Sequence, residues 1–250
     1  MGERLKDKVC IVTGATSGIG RAAAELFAEE GGKVFFTGRR DEKGAAAEAE
    51  FRAKGLEATY VKADLTCAED RENVVRKTME AYSRIDVLFN NAGVNVYKRF
   101  EELDMETADL ILDTNYRSMF ALTRLVVPIM IEQGGNTTIV NTASIGAIIG
   151  SSTCVPYCGS KGAVKQFTQA LAAELGQYNI RVNALLPGLT LTDMTLDDPD
   201  FIAMASVGIP LARGSEPREQ AFGALFLAGP ESSFMTGASL VIDGGFTAVR

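Results

Sequence analysis

The chain has no histidine anywhere in its 250 residues. That absence removes Ser-His-Asp and Cys-His catalysis and every metal site built on imidazole, so proton chemistry falls to Tyr, Lys, Asp, Glu or Cys. Basic runs are missing as well. With 25 Lys and Arg against 32 Asp and Glu, the formal charge is −7. No cationic cluster exceeds the dipeptide Arg39-Arg40, which argues against a nucleic-acid or anionic-membrane partner. No apolar run is long enough to span a bilayer. Residues 1–8 are charged and lead straight into a strand, so we expect no secretory signal and a cytoplasmic protein. Cysteine is sparse, and Cys10, Cys67, Cys154 and Cys158 form no disulfide framework. Cys154 and Cys158 flank Tyr157, yet no second ligand pair accompanies them, and no metal is expected.

What remains is a chain that is 46% hydrophobic, enough for a sizeable core. Residues 8–13 read as a short buried strand. Gly14-Ala15-Thr16-Ser17-Gly18-Ile19-Gly20 follows and leads into an Ala-rich helical stretch, residues 21–30. Strand, glycine turn and helix form the context of a dinucleotide site. Glycines let the backbone turn sharply and approach a pyrophosphate, and the helix N-terminus offers free N–H groups to it. Residues 33–37 read as a second strand ending in Gly38-Arg39-Arg40, at the position that reads the adenosine ribose. A carboxylate there would accept from the 2′-hydroxyl of NAD. Two guanidiniums suit the 2′-phosphate of NADP instead. On this reading an acid introduced at Gly38 reverses the preference.

Helix and strand then alternate: a helix at 42–54, a strand at 58–63 ending in Asp64-Leu65 near the adenine edge, a helix at 68–82 and a strand at 86–89. The last is closed by Asn90-Asn91-Ala92-Gly93, small and amide residues that suit a turn backing onto the cofactor. Long amphipathic stretches at 105–133 and 155–177 flank a fifth strand at 138–141, and 180–186 makes a sixth. The alternation predicts one α/β domain over residues 1–250, a doubly wound, Rossmann-like parallel sheet with helices on both faces. Tyr157 and Lys161 stand one helical turn apart and share a face. A nearby ammonium would stabilise the phenolate, so the pair reads as a general acid/base with a lowered phenol pKa. Thr142-Ala143-Ser144 ends the fifth strand and could bring a hydroxyl to the same place.

The ordered set Thr13-Gly14-x-x-x-Gly18-x-Gly20, Asn90-Asn91-Ala92-Gly93, Asn115, Ser144, Tyr157-x-x-x-Lys161 and Pro187-Gly188 resembles the short-chain dehydrogenase/reductase family. Asp243-Gly244-Gly245, after a short strand at 239–242, is similar to the family's closing turn. The resemblance covers essentially the whole chain. It implies that Tyr157 exchanges the proton with the substrate oxygen, that Lys161 lowers its pKa and holds the nicotinamide ribose, and that Ser144 orients the carbonyl. It implies that Asn115 holds a water linking Lys161 to solvent. Pro187, Gly188, Thr190 and Thr192 would anchor the carboxamide and phosphates, Thr190 through its backbone. Ser17 stands where many NADP-using members carry a basic residue. That leaves Arg39 as the main phosphate reader, with Arg40 directed to solvent or stacked on adenine.

The expected activity is hydride transfer between NADP(H) and a carbonyl or secondary alcohol. The alternatives are a catalytically silent nucleotide-binding regulator on the same fold and an NAD-preferring dehydrogenase. Residues 189–211 read as a substrate lid whose apolar side chains suit an uncharged, moderately hydrophobic ligand. The apolar stripes at 105–133 and 155–177 are too large for one buried face, so a homo-oligomer is expected, a tetramer by the resemblance.

Overall fold

In a parallel sheet covered on both faces, successive side chains must both be apolar. β1 (Val9–Val12) meets that condition, with all four residues buried. Its alternate side chains enter opposite cores. Cys10 and Val12 join a cluster with Phe27, Phe36, Phe51 and Leu225, and Ile11 joins Leu88, Leu122, Val126 and Ile139 on the other side. The computed structural model describes residues 2–195 and 206–249. β2 (Lys33–Gly38), β3 (Ala58–Lys62), β4 (Val87–Asn90), β5 (Thr137–Thr142), β6 (Ile180–Pro187) and β7 (Ser239–Ile242) complete a seven-stranded sheet of order β3-β2-β1-β4-β5-β6-β7. Every neighbouring pair is parallel.

One face is covered by α1 (Gly18–Glu29), α2 (Asp41–Ala53) and α7 (Pro217–Ala228), the other by α3 (Ala68–Tyr82), α5 (Ser118–Gln133) and α6 (Val155–Leu175). Sequence periodicity located nearly all of these elements. α7 escaped it, although Pro217 in the first turn and the reciprocal bonding of Glu216 and Glu219 form a capping box. The far end of α7 is closed by Arg181, buried in β6. Its guanidinium donates to the carbonyls of Leu227 at 3.0 Å and Gly229 at 3.2 Å, satisfying C-terminal acceptors and complementing the helix dipole.

Two expected helices are interrupted. The stretch at 105–133 divides into α4 (Met105–Leu112), a π-helical turn (Asp113–Arg117) and α5. The π turn rotates the following side chains relative to the first helix, and it buries Asn115 within an otherwise half-exposed surface. α6 stops at Leu175 and passes through a 3-10 turn (Gly176–Tyr178) to Asn179, whose φ of 58° ends the helix. Of the expected lid, residues 196–205 lie outside the described residues, including Leu196, Asp197, Asp198, Asp200, Phe201 and Met204.

Candidate coenzyme and catalytic site

The sheet order reverses between β1 and β4, because the chain leaves β1 toward β2 and returns to pair β4 on the other side. The loops after these two strands therefore diverge and open a crevice at their carboxyl ends. Gly14 and Gly18 line it with φ of 61° and 54°, in the left-handed region that favours glycine. A side chain on Gly20 would meet the carbonyl oxygen of Gly14 at 2.4 Å, so backbone packs on backbone here. α1 begins at Gly18, before the Arg21 expected from sequence, and Ser17 at its N-cap makes no side-chain capping bond. The first-turn N–H groups are thus left to an anion. Thr16 is buried beside them, and Ile19 packs onto the core beneath.

The opposite lip is stitched to this turn. Thr13 Oγ1 accepts from the N–H of Asn91 at 2.9 Å and of Ala92 at 3.1 Å. Asn91 Nδ2 donates back to the carbonyls of Thr13 at 3.1 Å and Gly14 at 3.3 Å. Thr142 Oγ1 then donates to Asn91 Oδ1 at 3.3 Å. β1, β4 and β5 are so joined at their carboxyl ends by short polar side chains. Asn90 is placed by a separate set of bonds. Its amide faces α5 and donates to Thr123 Oγ1 at 3.1 Å and Asn141 Oδ1 at 2.9 Å, and Asn141 passes the chain to Thr168 of α6. Its side chain braces the strands from behind.

Ser144, Tyr157 and Cys158 converge around Gly146. A Cβ built there would lie 3.5 Å from Ser144 Oγ, 3.7 Å from Tyr157 Cε1 and 3.3 Å from Cys158 Sγ. Ser144 Oγ accepts the N–H of Gly146 at 3.1 Å, which leaves its proton free to donate elsewhere. Lys161 is buried. Its Nζ donates to the Thr142 carbonyl at 2.8 Å and lies 5.7 Å from the centre of the Tyr157 ring. A Cβ on Gly93 would come within 3.4 Å of that nitrogen, so the loop after β4 lies close to the α6 lysine.

The charge states depart from the sequence expectation. Burial pushes the Tyr157 phenol up to about 12, a hydrogen bond with Ser144 pulls the other way, and Tyr97, Cys154 and Cys158 add to the rise. Burial pushes Lys161 down to about 8. Lys161 does not lower the phenol as expected, because desolvation acts on both groups and the ammonium is turned to a backbone carbonyl.

Asn115 sits where the expectation required, but its side chain is committed. Its amide donates to the Val94 carbonyl and to Ser160 Oγ, each at 3.0 Å, and its oxygen accepts the Val94 N–H at 2.8 Å. Ser160 Oγ donates to the Tyr157 carbonyl at 2.7 Å. The side chain of Asn115 therefore fixes the first turn of the Tyr157 helix to the segment after β4. Ser160 lies inside the quoted motif, and only its contacts mark it out. A small cavity of about 10 Å³ lies beside Asn115, lined also by Thr13, Leu65, Asn90, Ala92 and Thr142 among others.

At the end of β2, Arg40 and not Arg39 turns toward the glycine loop. Its Nη2 donates to Ser17 Oγ at 2.6 Å and its Nη1 to Asp193 Oδ2 at 2.9 Å. Arg39 is exposed, and against the desolvation that raises the Asp64 carboxyl the Thr66 bonds, with a smaller pull from Arg39, hold it below the usual range. Asp64 also accepts from Thr66, and buried Leu65 packs into the core on the α3 side. An acid at Gly38 no longer follows as a simple coenzyme switch. A Cβ there would lie 2.4 Å from Thr16 Cγ2, and the Gly38 carbonyl already accepts from Tyr60 Oη at 2.8 Å.

The remaining wall follows β6. Pro187 ends the strand, and a side chain on Gly188 would meet Asp243 Cα at 2.7 Å. Thr190 shares a hydroxyl bond with Ser215 at 3.1 Å, and its carbonyl accepts from Thr195 Oγ1 at 2.6 Å. Thr192 lies over the glycine loop, its Cγ2 3.0 Å from the position of a Gly18 Cβ. Left-handed glycines, an uncapped helix start and a backbone-lined crevice together fit a nicotinamide dinucleotide.

Comparison with known proteins agrees with this geometry. Residues 14–247 match a family model described as enoyl-(acyl carrier protein) reductase. The chain is 40% identical over 248 residues to an A-factor type gamma-butyrolactone 1′-reductase (1S-forming) of Streptomyces virginiae, covering 97% of this chain and 96% of that one. It is 37% identical over 248 residues to a cyclopentanol dehydrogenase of Comamonas testosteroni, covering 98% and 99%. A crystal structure of a short-chain type dehydrogenase/reductase from Mycobacterium marinum superposes with a TM-score of 0.93 at 32% identity, covering 97% of this chain and 96% of that one.

Proposed function

The chain belongs to the short-chain dehydrogenase/reductase family, and from that premise we propose that it reduces a ketone or aldehyde with NADPH, reversibly, using Tyr157 as the acid. The family's oxidoreductases act on carbonyl and CH–OH groups. What supports the finer reading is the convergence of Ser144 and Tyr157 around Gly146, with a buried Lys161 on the next turn of the same helix, bonded to the Thr142 carbonyl.

A bound nicotinamide supplies the hydride to the carbonyl carbon, or accepts it in the reverse direction. Ser144 donates its hydroxyl proton in a hydrogen bond to the carbonyl oxygen and so orients it. As negative charge develops on that oxygen, Tyr157 transfers its phenolic proton to it. With its pKa near 12, the phenol is protonated throughout the neutral range, the form that reduction requires. Oxidation of the alcohol needs the phenolate and is favoured at high pH. Lys161 presents a buried ammonium at the coenzyme end of the tyrosine helix, where its donors suit ribose hydroxyls. Asn115, acting through Val94 and Ser160, is a positioning residue that sets the first turn of α6.

Coenzyme choice rests on Arg40, Lys43 and Ser17 at the adenosine end, where β2 ends without a carboxylate. For the substrate, relatives named for a butyrolactone and for cyclopentanol favour a cyclic ketone or its secondary alcohol. Oligomerisation is proposed through the α4–α5–α6 face, where Met105, Leu110, Phe120 and Val155 are exposed and Phe120 stacks edge-on against Phe167. Loss of NADPH absorbance with a panel of cyclic ketones tests the activity. We expect turnover that Tyr157→Phe removes. NADPH binding without turnover on any carbonyl or alcohol would assign the chain to nucleotide sensing instead.

A further inference from the structure

The cations at the adenosine end already hold an anion, and it belongs to the chain itself. Asp193 Oδ2 receives Arg40 Nη1 at 2.9 Å and Lys43 Nζ at 2.8 Å, while the other arm of the same guanidinium holds Ser17 Oγ at 2.6 Å. One carboxylate oxygen thus sits between two cations, beside the N-cap of the phosphate-binding helix and 153 residues from Arg40 in sequence. The bonds from Lys43 and Arg40 hold the Asp193 carboxyl below the usual carboxylate range. All three side chains are half exposed, so water and a diffusing anion can reach them. The residues on either side are placed independently. Thr192 rests on Gly18, and Thr195 Oγ1 bonds the carbonyls of Thr190 and Thr192. Asp193 is therefore not needed to hold its own turn together.

We propose that Asp193 is a coenzyme-specificity residue, an internal carboxylate that occupies the Arg40–Lys43 pair and competes with a phosphate monoester for it. The inference rests on the reading that these cations face the 2′-phosphate of NADPH. A phosphate monoester carries nearly two negative charges and three acceptor oxygens, against one charge and two oxygens for the carboxylate, so it wins the exchange without needing new cations. The exchange lowers the apparent affinity for NADPH by the fraction of molecules in which Asp193 holds the pair. NADH presents no phosphate at that position and does not compete. Asp193 therefore narrows the discrimination that Arg40 and Lys43 create.

The test is calorimetric titration of the full chain with NADPH and with NADH, for wild type, Asp193→Asn and Asp193→Glu, at low and at raised salt. Asp193→Asn removes the charge and keeps the shape. We expect it to tighten NADPH by about three- to fivefold, the size of an exposed ion pair, and to leave NADH unchanged. We also expect the gain to shrink as salt screens the pair. Asp193→Glu, which retains the charge, should stay close to wild type. If Asp193→Asn weakens NADPH, or shifts both coenzymes by the same factor, Asp193 orders the segment and does not compete, and the inference fails while the coenzyme reading stands. If wild type binds NADH as tightly as NADPH, the coenzyme reading itself fails and the inference falls with it.

Discussion

The two lips of the crevice are built on different physics. The inner lip, from the ends of β1, β4 and β5, is held by glycines and by short side chains bonded to backbone, as in the exchange between Thr13 and Asn91. The outer lip, residues 190–195, meets Arg40 and Lys43 across the crevice only through the half-exposed ion pairs of Asp193. Buried bonds of the first kind cost a great deal to leave unmade. Exposed pairs of the second kind contribute little and respond to salt. On the proposed reading, the inner lip is a fixed template for the parts that every dinucleotide shares, and the outer lip is where coenzyme discrimination can be adjusted at small cost to the fold.

The largest expected effect tests whether the inner side also carries the chemistry. Tyr157→Phe removes only the transferable proton, so kcat should fall by about 10²- to 10⁴-fold with coenzyme affinity nearly unchanged. Steady-state rates with calorimetric Kd values check both halves, and near-normal turnover would move the acid elsewhere. Thr13→Val sharpens the contrast in rigidity. It leaves two N–H groups beside Gly14 without an acceptor and should lower unfolding stability by about 2 to 4 kcal/mol, read from the denaturant midpoint.

A third prediction uses Lys161. Its folded pKa, near 8, lies below the 10.5 of an unperturbed lysine. Between those values the unfolded chain holds the extra proton, so this group makes stability rise with pH across that window, by on the order of 3 kcal/mol. In Lys161→Met that rise should vanish from the pH dependence of thermal unfolding. A rise of the same size in the variant would assign it to other groups. The smallest effects belong to the outer lip. Arg40→Ala should weaken NADPH by about three- to tenfold and hardly touch NADH, with a smaller change for Arg39→Ala. Titration of both coenzymes against both variants checks the order, and a larger loss from Arg39→Ala would return the phosphate to that residue.

Much of the fold was legible because buried parallel strands and amphipathic helices leave strong local periodicity. The boundaries of α3 and β7 coincide with those read from the sequence. Of the site, the glycine loop and the Tyr157–Lys161 spacing were legible for the same reason, since one turn of backbone defines each. α7 was missed because its run Pro217–Ala228 is apolar on several faces and shows no clear stripe. Its signal lay in the cap.

The sequence by itself determined the alternating architecture, the glycine turn after the first strand and the one-turn spacing of Tyr157 and Lys161. Each of these depends on local backbone conformation or on the period of burial. Only the tertiary structure decided what those side chains do once packed. Asn90 turns to Thr123 and Asn141, Asn115 spends its amide on Val94 and Ser160, and Thr16 fills the space an acid at Gly38 would need. Arg39 and Arg40 are chemically identical neighbours. The start of α2 sends one to solvent and the other over Ser17 to Asp193. Such choices are made by contacts between residues far apart in the chain and by desolvation, which raises Tyr157 and lowers Lys161 together. No local pattern encodes either of them.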